Sequence, residues 1–313
     1  MRRILSCIAV TILFAVNAYA GFRLIEENDF FAGEKINDDK YYTQGLEIQY
    51  VRDVQSNGNN EVVRRIYGLR NLMYTPRDIT IPEPQPDEHP WAGMTAITYT
   101  EWRMNNSATE MWQYMFGVVG EWSRSDKIQT WVHKVIGSHR PAGWANQIPN
   151  EIVFNVTYDN YKLLKSVGTG KWIADLTRVY GFSAGNAFDN GEYGFLGRAG
   201  WNVPSDYEGG TILKPTLAPQ GKVAAYAFAG VTGRAVLHNI TLGGSLFQDG
   251  PYQDLKPFVM DSKAGLAFRA YRIFGSDYDF DASYAFVCRS MEWYGQDEPQ
   301  MFGSITIGIT GGF

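Results

Sequence analysis

The chain has 313 residues, 15% of them aromatic and 19% charged, with 33 glycines and a formal net charge of −5. That mild acidic excess excludes a nucleic-acid partner gripped by a basic surface. Past the N-terminus no segment approaches the roughly 20 apolar residues of a spanning helix, and no Pro- or Ser/Gly-rich linker divides the chain.

Arg2 and Arg3 precede an apolar stretch from Ile4 to Val16, and Ala18-Tyr19-Ala20 has the small-residue spacing of a cleavage site. Residues 1–20 therefore read as a signal peptide, with residues 21–313 as the mature domain. Cys7 leaves with that segment and is not placed beside the cleavage site. Cys288 remains alone, so the mature chain has no intrachain disulfide. It carries 33 acidic against 26 basic side chains, a net charge of −7.

From there the sequence alternates apolar and polar residues in runs long enough to cross a membrane as tilted strands of about 9 to 11 residues. The runs are 21–29, 43–53, 62–73, 94–105, 110–120, 151–163, 172–185, 192–202, 222–236, 259–274, 278–291 and 302–313. High aromatic and glycine content with a mildly negative mean hydropathy is how a wall with one lipid face and one polar face averages. The last run, Ser304 to Thr310, alternates with period two, and the chain stops at Phe313. The expected fold is all-β: a twelve-stranded antiparallel transmembrane β-barrel of the bacterial outer membrane. An even strand number puts both chain ends on the periplasmic side. Polar turns at 56–60 and 105–108 fit that side, and 30–42, 74–93 and 121–150 become long outer loops. Residues 203–221 fall on the periplasmic side yet are long, so either that turn is unusual or a strand between 172 and 222 is misplaced.

The segment after the fifth run is different. Ser125 and Asp126 suit a helix start, Ile128, Trp131, Val132, Val135 and Ile136 recur at helical spacing, and Gly137 is a stop signal. A short amphipathic helix in an outer loop is expected. Gln129 and His133, four residues apart, share one of its faces. Taken alone, the pair reads as a polar edge of a helix resting on the barrel rim.

Glu27-Asn28-Asp29, Tyr42-Thr43-Gln44-Gly45, Trp91-Ala92-Gly93, and Gln129, His133, Gly137, Pro141, Gly143-Trp144, Gln147 and Asn150-Glu151 follow one another on successive outer-rim elements. In this set and order the chain resembles the outer-membrane lipid A 3'-O-deacylases, across residues 22–160 in motifs and the whole chain in architecture. The resemblance implies an active site between the barrel wall and the loop helix, a requirement for Ca²⁺, and lipid A or lipopolysaccharide as the substrate. The roles it carries over fall on Asn28, Asp29, Thr43 and His133, with Gln129 close by. In that reading Asp29 offers a hard carboxylate oxygen to the metal, the metal polarises the ester carbonyl, and neutral His133 takes a proton from the attacking water. Asn28 and Thr43 orient the metal, the water or the oxyanion. Lys127, Lys134 and Arg140 are the candidates for lipid A phosphates, or else solvated loop charges. Asn28 and Asp29 are also common strand-ending turn residues, Thr43 is an ordinary β-branched strand residue, and Trp91 and Trp144 suit interfacial or loop packing.

Two positions depart from the family pattern. His139 stands where a Glu follows the histidine by six residues, and His89-Pro90-Trp91 replaces an Arg ahead of a Pro-aromatic pair. Two other classes compete with the esterase. An outer-membrane phospholipase A uses a barrel and calcium but needs a serine beside a histidine, which the strand spacing does not offer. A porin-like barrel would need an open lumen, and twelve strands leave a narrow one. The sequence is silent on oligomeric state.

Overall fold

The computed structural model describes residues 19–33, 40–55, 62–104, 108–204, 223–270 and 278–312. Within them lie twelve strands: β1 (Tyr19–Asn28), β2 (Tyr41–Gln55), β3 (Val62–Thr75), β4 (Ala92–Met104), β5 (Ala108–Val119), β6 (Glu151–Thr169), β7 (Trp172–Gly185), β8 (Phe188–Trp201), β9 (Ala224–Asn239), β10 (Phe258–Ala270), β11 (Tyr278–Arg289) and β12 (Gln300–Gly312). Each pairs antiparallel with its neighbours in sequence, and β1 closes the barrel on β12 from Tyr19↔Gly312 to Asn28↔Gly303. Every expected run overlaps one of these strands, and residues 271–274 of the run 259–274 lie outside the described residues. The connection between β8 and β9 is long in fact, because no strand was misplaced: β7 keeps its expected bounds and β8 begins four residues early, at Phe188. Residues 205–222, the turns 56–61 and 105–107, Asp38 and Asp39, Phe313 and most of the expected signal peptide lie outside the described residues. Three connections that the sequence left unassigned, 186–187, 240–257 and 290–299, join strands at the same end as the long loops.

Period-two alternation decides the two faces. Along β4, Met94, Ala96, Thr98, Thr100 and Trp102 are buried inside, while Ile97 on the outside is 60% exposed. The lumen is largely filled. An apolar cluster from the outer halves of the strands includes Ile25, Leu72, Tyr74, Met94, Val153 and Phe302. A second, from the periplasmic halves, includes Val51, Ile66, Trp102, Met111 and Phe228. Buried ion pairs line the inner wall between neighbouring or next-but-one strands as well: Arg70 Nε to Glu47 Oε2 at 2.9 Å, Arg23 to Asp281 at 3.3 Å and Arg198 to Asp175 at 2.7 Å. Gly68 is required beside the first of these, since a Cβ there would lie 2.3 Å from both Glu47 Oε1 and Thr98 Oγ1. The interior is packed and charge-paired, with a cavity left among Arg70, Gln113, Asn155, Glu192, Arg234 and Arg289.

On the outside, an aromatic belt runs across the strands: Phe22, Tyr50, Tyr67, Tyr99 and Tyr114, with successive ring centroids 5.4, 6.3, 5.3 and 6.3 Å apart, and beyond them Trp112, Tyr158 and Phe182. Tyr99 donates its hydroxyl to Glu101, which also takes Arg65 and Arg103. Those charges lie toward the periplasmic end of β4, so the belt marks that membrane interface.

Candidate active site

The outward faces of β1 to β4 carry polar groups near the outer rim, where a lipid-facing wall should be apolar. Asn28 ends β1, and its Oδ1 accepts the N–H of Phe30 at 2.9 Å, so it caps a 3-10 turn over Asp29–Ala32. That turn folds over the outside of β12: a Cβ on Gly303 would meet Phe31 at 2.5 Å. Asp29 is buried, with Oδ1 accepting from Phe30 N at 2.8 Å and Oδ2 from the backbone N–H of Lys40 at 2.9 Å. The turn and the functional readings of Asn28 and Asp29 are thus compatible, because the turn is what holds them.

β2 pairs Asn28 with Gln44 and then breaks register between Tyr42 and Gln44, leaving Thr43 as the extra residue of a bulge. Its hydroxyl meets that of Thr75 at 2.7 Å. Tyr74 points into the lumen, so Thr75 faces outwards, yet Thr75 and Met73 are both buried. The outer segments cover them.

The covering element is α1 (Ser125–Ile136). Thr95 donates to the backbone carbonyl of Ser123 at 2.7 Å, and Asn71 Nδ2 donates to Ser125 Oγ at 3.0 Å and Thr95 Oγ1 at 2.7 Å. Gly93 allows this approach, since a Cβ there would lie 2.4 Å from Ser123 Oγ and 2.5 Å from Ser125 Cβ. The expected cap is corrected here: Ser125 makes no capping bond, and the helix is entered through Arg124 in the left-handed region at φ 60. Ser125 docks the helix instead. The stop at Gly137 holds, with φ 78 and its N–H on the His133 carbonyl.

Which face α1 presents is opposite to that of a helix on a soluble core. Ser125, Gln129 and His133, each four residues apart, are the buried residues, whereas Trp131, Val135 and Ile136 are 65, 57 and 64% exposed. The apolar face continues the lipid-facing wall of Ile97, Phe116, Ile152 and Phe154, and the polar stripe is sealed against the barrel. Thr43 is seven residues along β2 from Tyr50 of the belt, about 18 Å along the axis at an ordinary strand rise and tilt. The apolar band of such barrels is about 25 Å tall, so Thr43 lies at the level of the outer leaflet.

His133 is oriented through its backbone neighbourhood. Nδ1 lies 2.6 Å from the carbonyl oxygen of His139; a carbonyl only accepts, so Nδ1 carries a proton, and Nε2 is the ring nitrogen that can exchange one. The departure at position 139 is therefore met by main chain, and the His139 side chain is exposed. Gln129 Oε1 accepts the indole N–H of Trp144 at 2.7 Å. Trp144 packs on Trp91 at 5.0 Å and belongs with Ile79 to a small buried cluster, so both tryptophans are loop-packing residues. His89 is no stand-in for an Arg reaching substrate: it is buried, stacks on Tyr74 at 5.0 Å and meets Trp293 edge-on at 5.9 Å. Burial drives its pKa from 6.5 down to about 4, against the bond to the Pro90 carbonyl. Lys127, Lys134 and Arg140 are exposed on the outer surface, and Lys127 pairs with Asp126 at 3.0 Å.

Asn28 and Thr43 thus lie near the outer ends of β1 and β2, with Asp29 in the turn beyond β1, while Gln129 and His133 lie on the face of α1 that is turned to the wall of β3 and β4. Thr75 and Asn71, which bond to Thr43 and to Ser125, carry no signal that a single sequence could single out; Trp144 is already among the motif residues. For a metal, the described residues hold no group of three or more His, Cys, Asp or Glu side chains. The donors around the outer ends of β1 and β2 are the Asp29 carboxylate, the Asn28 amide and the Thr43 hydroxyl, all hard oxygens. Such a set fits Ca²⁺ completed by backbone carbonyls rather than a soft-ligand metal.

The profile of the family described as outer membrane protein LpxR matches residues 4–310 of the chain. In structure the chain is similar to LpxR from Salmonella typhimurium, with a TM-score of 0.76 at 18% identity, covering 94% of this chain and 100% of that one. It is also similar to the β domain of the Bordetella autotransporter BrkA, with a TM-score of 0.53 at 12% identity, covering 95% and 100%. No curated protein matches it in sequence.

Proposed function

The chain belongs to the LpxR family of outer-membrane proteins, and from that membership we propose that it is an esterase of the outer leaflet, which removes the 3'-linked acyl or acyloxyacyl chain of lipid A in a calcium-dependent reaction. The observation that carries this reading is the inverted helix: α1 turns Gln129 and His133 onto the wall and its apolar face outwards. A lipid ester can enter the cleft between helix and wall from the side, without leaving the membrane.

In the reaction, Nε2 of neutral His133 takes a proton from water as that water attacks the ester carbonyl, and returns it to the departing sugar alkoxide. The Nδ1 bond to the His139 carbonyl holds the ring in the tautomer this requires. Calcium, when bound through Asp29 with Asn28 and Thr43, supplies Lewis-acid polarisation of the carbonyl. Gln129 adds an amide donor for the developing oxyanion. Lys127, Lys134 and Arg140 meet the lipid A phosphates from the outer surface. No covalent intermediate is needed. Ser125, on the same helix face, is eight residues from His133, about 12 Å along the axis, too far to be activated by it as a phospholipase serine would be.

The test is mass spectrometry of lipid A from cells expressing the wild type or Asp29→Ala, with a membrane assay run with and without a calcium chelator. Loss of the mass of the 3'-linked substituent is expected with the wild type alone, and only when calcium is present. Unchanged lipid A beside a folded wild-type barrel would refute the proposal.

A further inference from the structure

Gln129 sits in the cleft 1% exposed, and only one end of its amide is engaged. Oε1 takes the Trp144 indole N–H at 2.7 Å, while Nε2 is buried with no hydrogen-bond partner. Buried donors are seldom left so. A carboxamide has two orientations related by a half-turn, and its neighbours decide between them. An indole N–H is a donor only, so it can face the oxygen end and never the NH₂ end. Trp144 itself has little freedom: it is buried, ring-packed on Trp91 at 5.0 Å, and the Gly143 before it approaches Trp91 so closely that a Cβ would lie 2.5 Å from the indole nitrogen. Trp91, at the end of loop 76–91, is tied to the segment after Trp144 by the bond from Ile148 N–H to the Trp91 carbonyl at 2.9 Å.

We propose that Trp144 is a positioning residue that locks the Gln129 amide with its NH₂ turned to the substrate, so that Nε2 donates to the ester carbonyl oxygen as negative charge gathers there. This rests on the deacylase reading, in which Gln129 is the amide donor, and assigns what that reading leaves open: what holds the donor end toward the reacting ester. Without the indole donor the two amide orientations compete, and molecules that present the amide oxygen to the oxyanion do not turn over.

The test uses the full-length barrel, purified in detergent and assayed on lipid A by mass spectrometry. Trp144→Phe is expected to lower kcat about 10-fold with KM within a factor of two, because the donor acts on the developing charge. Gln129→Glu accepts the same indole N–H but has no amide donor. In that background Trp144→Phe should cost nothing further, a coupling that loss of packing would not produce. Replacing Trp144 with benzothienylalanine, which keeps the bicyclic shape and lacks the N–H, should reproduce the kcat loss even if the smaller Phe ring disturbs the loop. A wild-type rate in the benzothienylalanine protein, or an equal loss in both Gln129 backgrounds, would reduce Trp144 to a packing residue. An inactive wild type would instead overturn the deacylase reading on which the proposal stands.

Discussion

Gly93 offers a way to move α1 without touching any proposed reacting group. It lies on the outward face of β4, paired with Met73, and the start of α1 is packed directly over it. In Gly93→Ala the new Cβ would stand 2.4 Å from Ser123 Oγ and 2.5 Å from both Ser125 Cβ and Ser125 Oγ. Ordinary contact needs about 3.4 Å or more, so the first turn of the helix must withdraw by about 1 Å. The ladder between β3 and β4 is unaffected because it runs in the plane of the sheet, but the Asn71–Ser125 bond at 3.0 Å is stretched. Gln129 and His133 ride on the same rigid helix and move with it. A displacement of about 1 Å in positioning groups typically costs on the order of 10²-fold in rate, equivalent to about 2.7 kcal/mol of barrier.

Gly93→Ala should therefore retain the heat-modifiable gel mobility of a folded barrel while its lipid A deacylation rate falls by about two orders of magnitude. Gly191→Ala is the matched control, because a Cβ there meets nothing within 4 Å. A Gly93→Ala barrel that cleaves lipid A within a factor of about three of wild type would show that the helix position does not set the rate, and the cleft would lose its claim to be the active site.

His133→Ala should lose at least about 10²-fold of the rate as a missing general base, whereas His139→Ala should stay within about threefold, since the substitution keeps the backbone carbonyl that holds His133; both are read by the same mass assay, and a dead His139→Ala would mean the side chain itself acts. In the lumen, Arg70→Met strands the buried Glu47 carboxylate and should destabilise the barrel by about 3–5 kcal/mol, most of it recovered in Arg70→Met/Glu47→Gln; denaturant unfolding in detergent measures both, and equal losses would rule out charge burial as the cause. His89 binds its proton at about pH 4 in the folded chain against 6.5 ordinarily, so the unfolded chain takes up the proton first and stability falls as pH drops from about 6.5 to 4, by about 3 kcal/mol in all. His89→Phe should flatten that part of the profile, and an unchanged acid profile would count against it.

How much of this was legible in the sequence depends on which physical rule each feature obeys. All twelve strands were visible because a wall with lipid on one side and a packed lumen on the other enforces period two along its whole length. Strand ends were less so: β6 runs six residues past its expected end, to Thr169, because the β6–β7 hairpin projects beyond the wall and its outer residues are no longer selected for alternation. Asn28, Asp29, Thr43, Gln129 and His133 could be picked out as a set by their motifs, while where each sits depends on the bulge at Thr43 and on the side of the wall that α1 covers. The bulge breaks the alternation rule, so the direction of Thr43 could not be counted from Gln44. Periodicity also fixes which residues share a face of α1 but not what the face meets; in water the apolar stripe would turn inwards, and here the solvent on the far side is lipid, so Trp131, Val135 and Ile136 turn out and the polar stripe is enclosed. The same inversion explains why Trp144 looked like packing alone. Its partner Gln129 would face water on a soluble helix and need no fixing, whereas in a cleft closed by lipid the amide has no solvent to pair with, and its orientation must be set by protein.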